Sequence, residues 1–171
     1  MKQIKKVENA GYGSSVGIAS VRKKQGAKLT AAKSASLLMP RETKSESQMT
    51  SLEKMDLTQE GISKKQLEQL KDKTGLDYDK LALVLDVSRA TLINKKGIEK
   101  FTPALSEKIM SLAVIYSYGY EVFGDQQEFN QWIFQPIKAL GGKPPFDLLN
   151  NQYGREEIRH LIGRIDYGVY S

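Results

Sequence analysis

Residues 81–92 read LALVLDVSRATL and predict two short helices that cross at a tight turn. Such a crossing needs a small and a bulky residue in the first helix, an apolar residue after the turn and an apolar anchor in the second helix. These positions hold, in that order, Ala82, Leu85, Val87 and Leu92. Asp86 occupies the turn position that is often glycine, and aspartate tolerates a left-handed backbone better than most residues. The stretch therefore predicts a helix-turn-helix within an all-α fold.

Capping residues predict where the helices around this motif begin. Ser, Thr and Asp favour the N-cap because their side chains accept a hydrogen bond from the first turn. The predicted caps are Ser63, Asp77, Ser88 and Thr102, and the helices they open are 64–73, 78–86, 89–96 and 103–123. The last of these has apolar residues at three- and four-residue intervals, which predicts a face buried in the core.

The second helix of the motif is a candidate DNA-binding helix. With Leu92 turned inward, its other face presents side chains that match base edges and phosphates: arginine suits guanine, asparagine suits adenine, and lysine and serine suit phosphate. The candidate DNA-binding residues are Ser88, Arg89, Ala90, Asn94, Lys95, Lys96 and Lys100. The alternative interpretation is a helical bundle with a solvated basic face, since this geometry also occurs without DNA binding.

The basic charge of the chain is concentrated near its N-terminus. The formal net charge is +6, but residues 1–55 alone contain 11 basic and four acidic residues, a net +7, which leaves −1 for residues 56–171. Tyr12 is the single aromatic residue of this segment, and its apolar residues are scattered. Such a composition predicts a largely disordered basic arm that lies along nucleic-acid phosphates. The equally weighted alternative is a solubilising tail, or residues upstream of the natural start, since Met39, Met49 and Met55 all precede the predicted folded part.

The C-terminal third predicts a small second helical domain. An amphipathic helix over residues 125–134 contains Phe129 and Trp132, and a terminal helix over residues 155–166 has isoleucines and Leu161 on one face. The predicted domains are a flexible arm over 1–55, a helix-turn-helix domain over 56–124 and a C-terminal domain over 125–171.

The composition argues against catalysis and against membrane insertion. The chain has no cysteine, which excludes thiol nucleophiles and thiolate metal sites. It has one histidine, His160, which leaves a single candidate for a histidine-based triad. No glycine-rich phosphate-binding motif follows a strand. No stretch approaches the roughly 20 apolar residues of a membrane helix. We therefore expect a cytoplasmic binding protein, with no enzymatic activity, metal or cofactor.

Two segments of the C-terminal third resemble a known family. Residues 132–149 read WIFQPIKALGGKPPFDLL, and residues 164–168 close the last helix as RIDYG. A tryptophan-containing helix, an Ala-Leu-Gly-Gly-x-x-Pro segment, a Leu-Leu pair and a terminal Arg-Ile-x-x-Gly resemble the C-terminal domain of Xre/MbcA/ParS antitoxins. In that family an Xre-type helix-turn-helix precedes this domain, so the resemblance covers about residues 60–171. Phe146 departs from the family's usual leucine, and Asn150-Asn151 from its usual serine or threonine.

The resemblance implies an antitoxin of a type II toxin–antitoxin system. Its partner would be a RES-domain toxin that depletes NAD, and it would repress its own operon by binding operator DNA. The residues that the resemblance places against the toxin are Arg155, Arg159, Arg164, Tyr167 and Tyr170, as polar or amphipathic groups off the apolar stripe. We expect a homodimer or a higher hetero-oligomer with the toxin. A stand-alone helix-turn-helix transcriptional regulator is the main alternative, and a partition factor is a third possibility.

Overall fold

A computed structural model describes residues 35–39 and 44–168, and this part of the chain is all-α, as predicted. Its seven α-helices are α1 (Ser51–Glu60), α2 (Lys64–Thr74), α3 (Tyr78–Leu85), α4 (Arg89–Ile93), α5 (Pro103–Phe123), α6 (Gln126–Trp132) and α7 (Gln152–Asp166). Three short 3-10 helices lie at Glu46–Gln48, Lys138–Leu140 and Pro145–Leu148. Within the described ranges the β-structure is limited to isolated bridges, one of which joins Ser63 to Lys100.

Side-chain caps open the helices where the sequence predicts them. Ser63, Asp77, Ser88 and Thr102 accept hydrogen bonds from the backbone N–H groups of Gln66, Lys80, Thr91 and Leu105. The predicted bounds of α2, α3 and α5 agree with the structure to within one residue. Three predictions differ more: α4 ends at Ile93 instead of residue 96, α6 spans Gln126–Trp132 instead of 125–134, and α7 begins at Gln152 instead of 155.

The long helix α5 is the centre of the core, and α1, α6 and α7 all pack against it. Its predicted apolar face is buried, with Ile109, Leu112 and Tyr116 each 0 % exposed. Around Phe129 of α6, the rings of Tyr116, Tyr120, Phe123 and Trp132 lie with centroids 5.3–5.6 Å away. None of the helices in the described ranges combines the length and apolar character needed to cross a membrane.

The packed part of the chain begins before residue 56, within the segment predicted as a flexible arm. Leu37 and Leu38 are each 1 % exposed, and their N–H groups donate to the buried carboxylate of Glu46 at 3.0 and 2.8 Å. Downstream, α1 packs on α5. The arm's boundary therefore has to move toward the N-terminus, because burial of these leucines and a saturated carboxylate hold the segment against the body. The remainder of the predicted arm, residues 1–34 and 40–43, lies outside the described residues.

The C-terminal domain turns back onto α5 through two 3-10 helices before α7 begins. Gly154 allows close packing at the start of α7, since a Cβ there would lie 1.8 Å from the carbonyl oxygen of Leu148. On α7, Ile158 and Ile162 are 0 % exposed, and they form the apolar face that docks on α5. Docking of this face leaves the opposite face of α7 exposed.

Candidate functional sites

The turn of the helix-turn-helix has the geometry that the sequence predicts. Asp86 adopts the left-handed conformation, with φ 52° and ψ 57°, and is the one non-glycine residue with positive φ in the described ranges. The N–H of Val87 donates to the Ala82 carbonyl at 3.1 Å, which closes the turn. Leu85 and Leu92 are both 0 % exposed. The contact between α3 and α4 therefore includes the apolar residues that the sequence predicts there.

The surface of α4 opposite the buried Leu92 is exposed. Of the candidate DNA-binding residues, Arg89 and Ala90 lie in α4, Ser88 and Asn94 are its caps, and Lys95, Lys96 and Lys100 follow it. Six of these residues are exposed and Lys95 is half-buried; the exposed ones are Ser88, Arg89, Ala90, Asn94, Lys96 and Lys100. Arg89 Nε lies 3.5 Å from Asp79 Oδ1, and Lys100 Nζ lies 2.6 Å from Glu60 Oε1. Both ion pairs are solvent-exposed and therefore weak, so either cation can exchange its carboxylate for a phosphate or a base.

A buried lysine that the sequence pattern did not indicate binds the backbone of α4. Lys64 is 4 % exposed, and its Nζ donates to the carbonyl of Leu92 at 2.8 Å and to the hydroxyl of Tyr78 at 2.6 Å. The same ammonium lies 4.1 Å from the centroid of the Tyr78 ring. Lys64 thereby joins α2, α3 and α4. Spacing gave no signal for this role, because lysine is almost never expected in a core.

The exposed face of α7 contains three of the five predicted toxin-binding residues. Arg159 and Tyr167 are exposed, Tyr167 at 83 %, and Arg164 is half-buried with its Nη2 3.1 Å from Glu157 Oε1. Tyr170 lies outside the described residues.

The position predicted for Arg155 off the apolar stripe is wrong. Arg155 is only 7 % exposed, and its Nε donates to the carbonyl of Leu149 at 2.8 Å. Burial lowers the pKa of its guanidinium, and Glu107 partly offsets that effect. The side chain of Arg155 points inward because it donates a hydrogen bond to the buried carbonyl of Leu149, and buried carbonyls in proteins are generally paired. Arg155 therefore positions the loop before α7 and is not part of its exposed face.

A groove of about 740 Å³ lies beside the exposed face of α7. Its lining includes Tyr118 and Glu121 of α5, Lys54 of α1, and a group at the end of α7: Arg159, His160, Arg164 and Tyr167. His160 is exposed, and no group of three or more His, Asp or Glu side chains in residues 35–39 and 44–168 is placed to hold a metal ion. The groove thus combines three cations, Lys54, Arg159 and Arg164, with two tyrosines, His160 and Glu121.

Comparison with known proteins identifies the C-terminal region. Residues 119–168 match the model of the antitoxin Xre/MbcA/ParS C-terminal toxin-binding domain. An antitoxin Xre from Yersinia enterocolitica is 33 % identical over 94 residues, which are 50 % of this chain and 64 % of that protein. The C-terminal region of the chain is thus similar to antitoxins of the Xre/MbcA/ParS family. The resemblance noted in the sequence is thereby confirmed.

Two further antitoxins show similarity to the chain. An antitoxin Xre from Photorhabdus laumondii is 33 % identical over 76 residues, 44 % of this chain and 51 % of that protein. A Prs ADP-ribosylating antitoxin from Sphingobium is 21 % identical over 131 residues, 70 % of this chain and 82 % of that protein. The chain thus spans between half and two thirds of the two Xre antitoxins that it matches at 33 %.

The two departures from the Xre/MbcA/ParS pattern fit the fold. Asn151 is the N-cap of α7, and its Oδ1 accepts from the Gly154 N–H at 2.9 Å, which is the work that a serine or threonine does at such a position. The ring of Phe146 lies 4.7 Å from that of Phe134, and Phe146 is 7 % exposed. An aromatic residue at this position therefore packs within the domain.

Proposed function

We propose that this protein is the antitoxin of a type II toxin–antitoxin pair, in which α7 and its neighbours bind and block a RES-domain toxin that consumes NAD. The observation that carries the proposal is the exposed face of α7, with Arg159, Arg164 and Tyr167, inside the region that matches a toxin-binding domain. Interfaces are enriched in tyrosine and arginine, since both bury large areas and donate hydrogen bonds. This face has both residue types.

The nature of the toxin has support from one relative's name. The Sphingobium relative is a Prs ADP-ribosylating antitoxin. ADP-ribosylation uses NAD as its donor, so a toxin of that kind and an NAD-depleting toxin would break the same bond between nicotinamide and ribose. A toxin that consumes NAD is therefore consistent with the name of this relative and with the RES-domain toxin of the proposal.

We further propose that the protein represses its own operon through α4. Its exposed residues include Arg89 and Asn94, which have the groups for bidentate contacts with guanine and adenine, each worth about 1–3 kcal/mol of discrimination. Exposed Lys96 and Lys100 are placed near the end of the same element, where they suit phosphate contacts. Operators of such proteins have two half-sites, so the DNA-bound form is expected to be a dimer or larger.

The antitoxin proposal is tested by co-expression with the product of the adjacent reading frame. That product alone should stop growth and lower cellular NAD, and this chain should restore both. Tyr167→Ala should weaken the rescue, whereas Tyr153→Ala, which removes an 82 % exposed tyrosine at the other end of α7, serves as the matched control. An adjacent product that is harmless, or toxicity that this chain does not relieve, would contradict the proposal.

The repressor proposal is tested on the chain's own promoter DNA. Replacing Arg89 and Asn94 together by alanine should weaken specific binding about 30-fold or more, since two base contacts are lost. Lys143→Ala, an exposed cation in the C-terminal domain, should leave binding unchanged. Specific DNA binding without any toxin rescue would instead favour the stand-alone regulator.

A further inference from the structure

The groove beside α7 is lined by residues from different parts of the chain. Arg159 of α7 and Tyr167 at its C-terminal end line the groove together with Lys54 of α1 and with Tyr118 and Glu121 of α5. Lys54 lies 65 positions before the region that matches the toxin-binding domain, which starts at residue 119. The groove is thus assembled from both halves of the molecule. Its volume of about 740 Å³ lies within the range of roughly 300–1,000 Å³ that is typical of ligand clefts.

Two of the cations that line the groove, Lys54 and Arg159, have no side-chain partner among the described residues. Neither Lys54 nor Arg159 makes a side-chain hydrogen bond or an ion pair with any described residue. Burial lowers the pKa of Lys54, and the charge of Arg159 lowers it further. Two like charges held at one site raise the free energy of the unbound protein, and an anion placed between them would relieve the repulsion.

The acidic groups nearby offset this pair only in part, and among them the charge of Glu53 raises the pKa of Lys54. Glu121 Oε1 accepts hydrogen bonds from Ser47 Oγ at 2.8 Å and Gln48 Nε2 at 3.1 Å, so its charge is directed to the 3-10 helix. Glu157 binds Arg164, the third cation of the groove, at 3.1 Å. Glu53 of α1 binds Lys44 at 2.7 Å. The groove lining is therefore net positive, since it contains Lys54, Arg159 and Arg164 against the one carboxylate of Glu121.

We propose that this groove binds an acidic segment of the toxin, with Lys54 and Arg159 pairing with its carboxylates. The inference rests on the proposed function and extends it, because it makes α1 part of the toxin-binding surface. Charge complementarity favours an acidic occupant, and continuity with the exposed face of α7 favours the protein that this face binds. Tyr118 and Tyr167 supply aromatic surface on either side of the segment's backbone.

Charge reversal at Lys54 tests the assignment directly. Toxin binding is measured by titration calorimetry with the purified product of the adjacent reading frame, for the wild type, Lys54→Glu, Lys54→Met and Lys65→Glu. Lys54→Glu should weaken binding by about tenfold or more, mainly through slower association at low salt, and Lys54→Met by a smaller factor. Lys65 is an exposed lysine of α2 outside the groove, so its reversal is the matched control and should have no effect.

A double variant tests whether both cations meet the same segment. If they do, Lys54→Glu combined with Arg159→Glu should weaken binding by less than the product of the two single effects. The melting temperature of each variant shows whether the variant is folded. If Lys54→Glu unfolds α1, Lys54→Met still tests whether the charge at this position contributes to toxin binding. Strictly multiplicative effects would contradict a shared acidic segment.

Other results would overturn the proposal and separate it from the proposed function. If Lys54→Glu and Lys54→Met bind the toxin as the wild type does while Tyr167→Ala weakens binding, α7 is the toxin surface and the groove is not. If Lys54→Glu instead abolishes self-association of the toxin-free chain, the occupant is a second copy. If the wild type itself does not bind the adjacent product, the proposed function fails as well.

Discussion

Lys64 shows at the scale of one residue how the fold positions a recognition element. Its ammonium is held at 4 % exposure by the carbonyl of Leu92, the hydroxyl of Tyr78 and, at 3.6 Å, the carboxylate of Glu68. A buried charge is tolerated only when it is paired and hydrogen-bonded, and these groups supply both. The last turn of α4 is thus fixed by a side chain from α2, which ties the exposed face to the rest of the motif.

Lys64→Met should destabilise the fold by about 1–3 kcal/mol, because the apolar stem remains but the Leu92 carbonyl loses its buried donor. Urea denaturation measures the effect. Lys65→Met, at the exposed neighbouring position, should stay within about 0.5 kcal/mol of the wild type. Affinity for operator DNA should fall only for the Lys64 variant, since only that change frees α4. Equal stability of the two variants would show that the buried ammonium does not hold the motif together.

Glu53 gives a pH-dependent test of the cap of α1. The hydrogen bond from Lys44 and then those from Thr50 lower the pKa of Glu53 from 4.5 to about 2. Because the pKa is lower in the folded state, ionised Glu53 stabilises the fold above pH 4.5, and this contribution is lost as the pH falls toward 2. In melting experiments Glu53→Gln should therefore be less stable than the wild type at pH 7 and equal to it near pH 2. A difference that does not vary with pH would contradict this explanation.

At the scale of the helix, two glycines of α7 should respond in opposite ways to alanine. A Cβ at Gly154 would lie 1.8 Å from the Leu148 carbonyl, so Gly154→Ala should cost about 1–3 kcal/mol or more through forced displacement of backbone. At Gly163 the nearest atom, Tyr118 Oη, would lie 3.5 Å away, and Gly163→Ala should stabilise α7 by about 0.5–1 kcal/mol. Thermal denaturation of both variants checks this, and a loss of stability for both would show that α7 does not pack as described.

The elements that local signals define were predictable, and those held by distant contacts were not. Helices α2, α3 and α5 follow from caps, periodicity and C-terminal glycines, and even the left-handed turn at Asp86 follows from its residue type. Helix α1 has no apolar stripe, with Leu52 70 % and Met55 51 % exposed, so periodicity gave no signal for it. The signal that was available is Thr50-x-x-Glu53, whose two side chains form a capping box.

The candidate toxin-binding site beside α7 could be predicted only in part, because some of its features depend on contacts between distant parts of the chain. Exposure of Arg159 and Tyr167 follows from helical periodicity, but inward rotation of Arg155 depends on the position of the Leu149 carbonyl, which local sequence does not specify. Lys54 was missed as well, since it meets Arg159 only through the packing of α1 and α7 around α5. Residues from distant parts of the chain reach one groove only once the tertiary fold is known.

At the scale of the whole molecule, the division of charge separates two roles. Residues 56–171 carry a net −1, so the body attracts DNA only through the local cations near α4. The same body has two cations at the groove beside α7, Lys54 and Arg159, that pair with no described side chain, and this groove belongs to a different set of elements. Variants at α4 and at the groove should therefore affect DNA binding and toxin binding separately, as expected for distant sites.

The remaining basic charge lies in the first 34 residues, and the structure indicates where to cut the chain to test its role. Residues 1–34 contain eight basic and one acidic residue, whereas Leu37 and Leu38 directly after them are buried in the body. A deletion of residues 1–34 therefore keeps the packed leucines, while a deletion of 1–50 would also remove Glu46, which holds them. The shorter deletion should leave the melting temperature unchanged, and the longer one should lower it.

If the arm contacts phosphates, deletion of residues 1–34 should flatten the salt dependence of DNA binding. Each phosphate contact contributes about 0.9 to the slope of log K against log salt, so the slope should fall by several times that amount. The loss of affinity should be large at low salt and small at high salt. Lys96→Ala, which removes one exposed cation near α4, should change the slope by about one contact and calibrates the measurement. An unchanged slope after the deletion would mean that DNA binding depends on α4 and its neighbours alone.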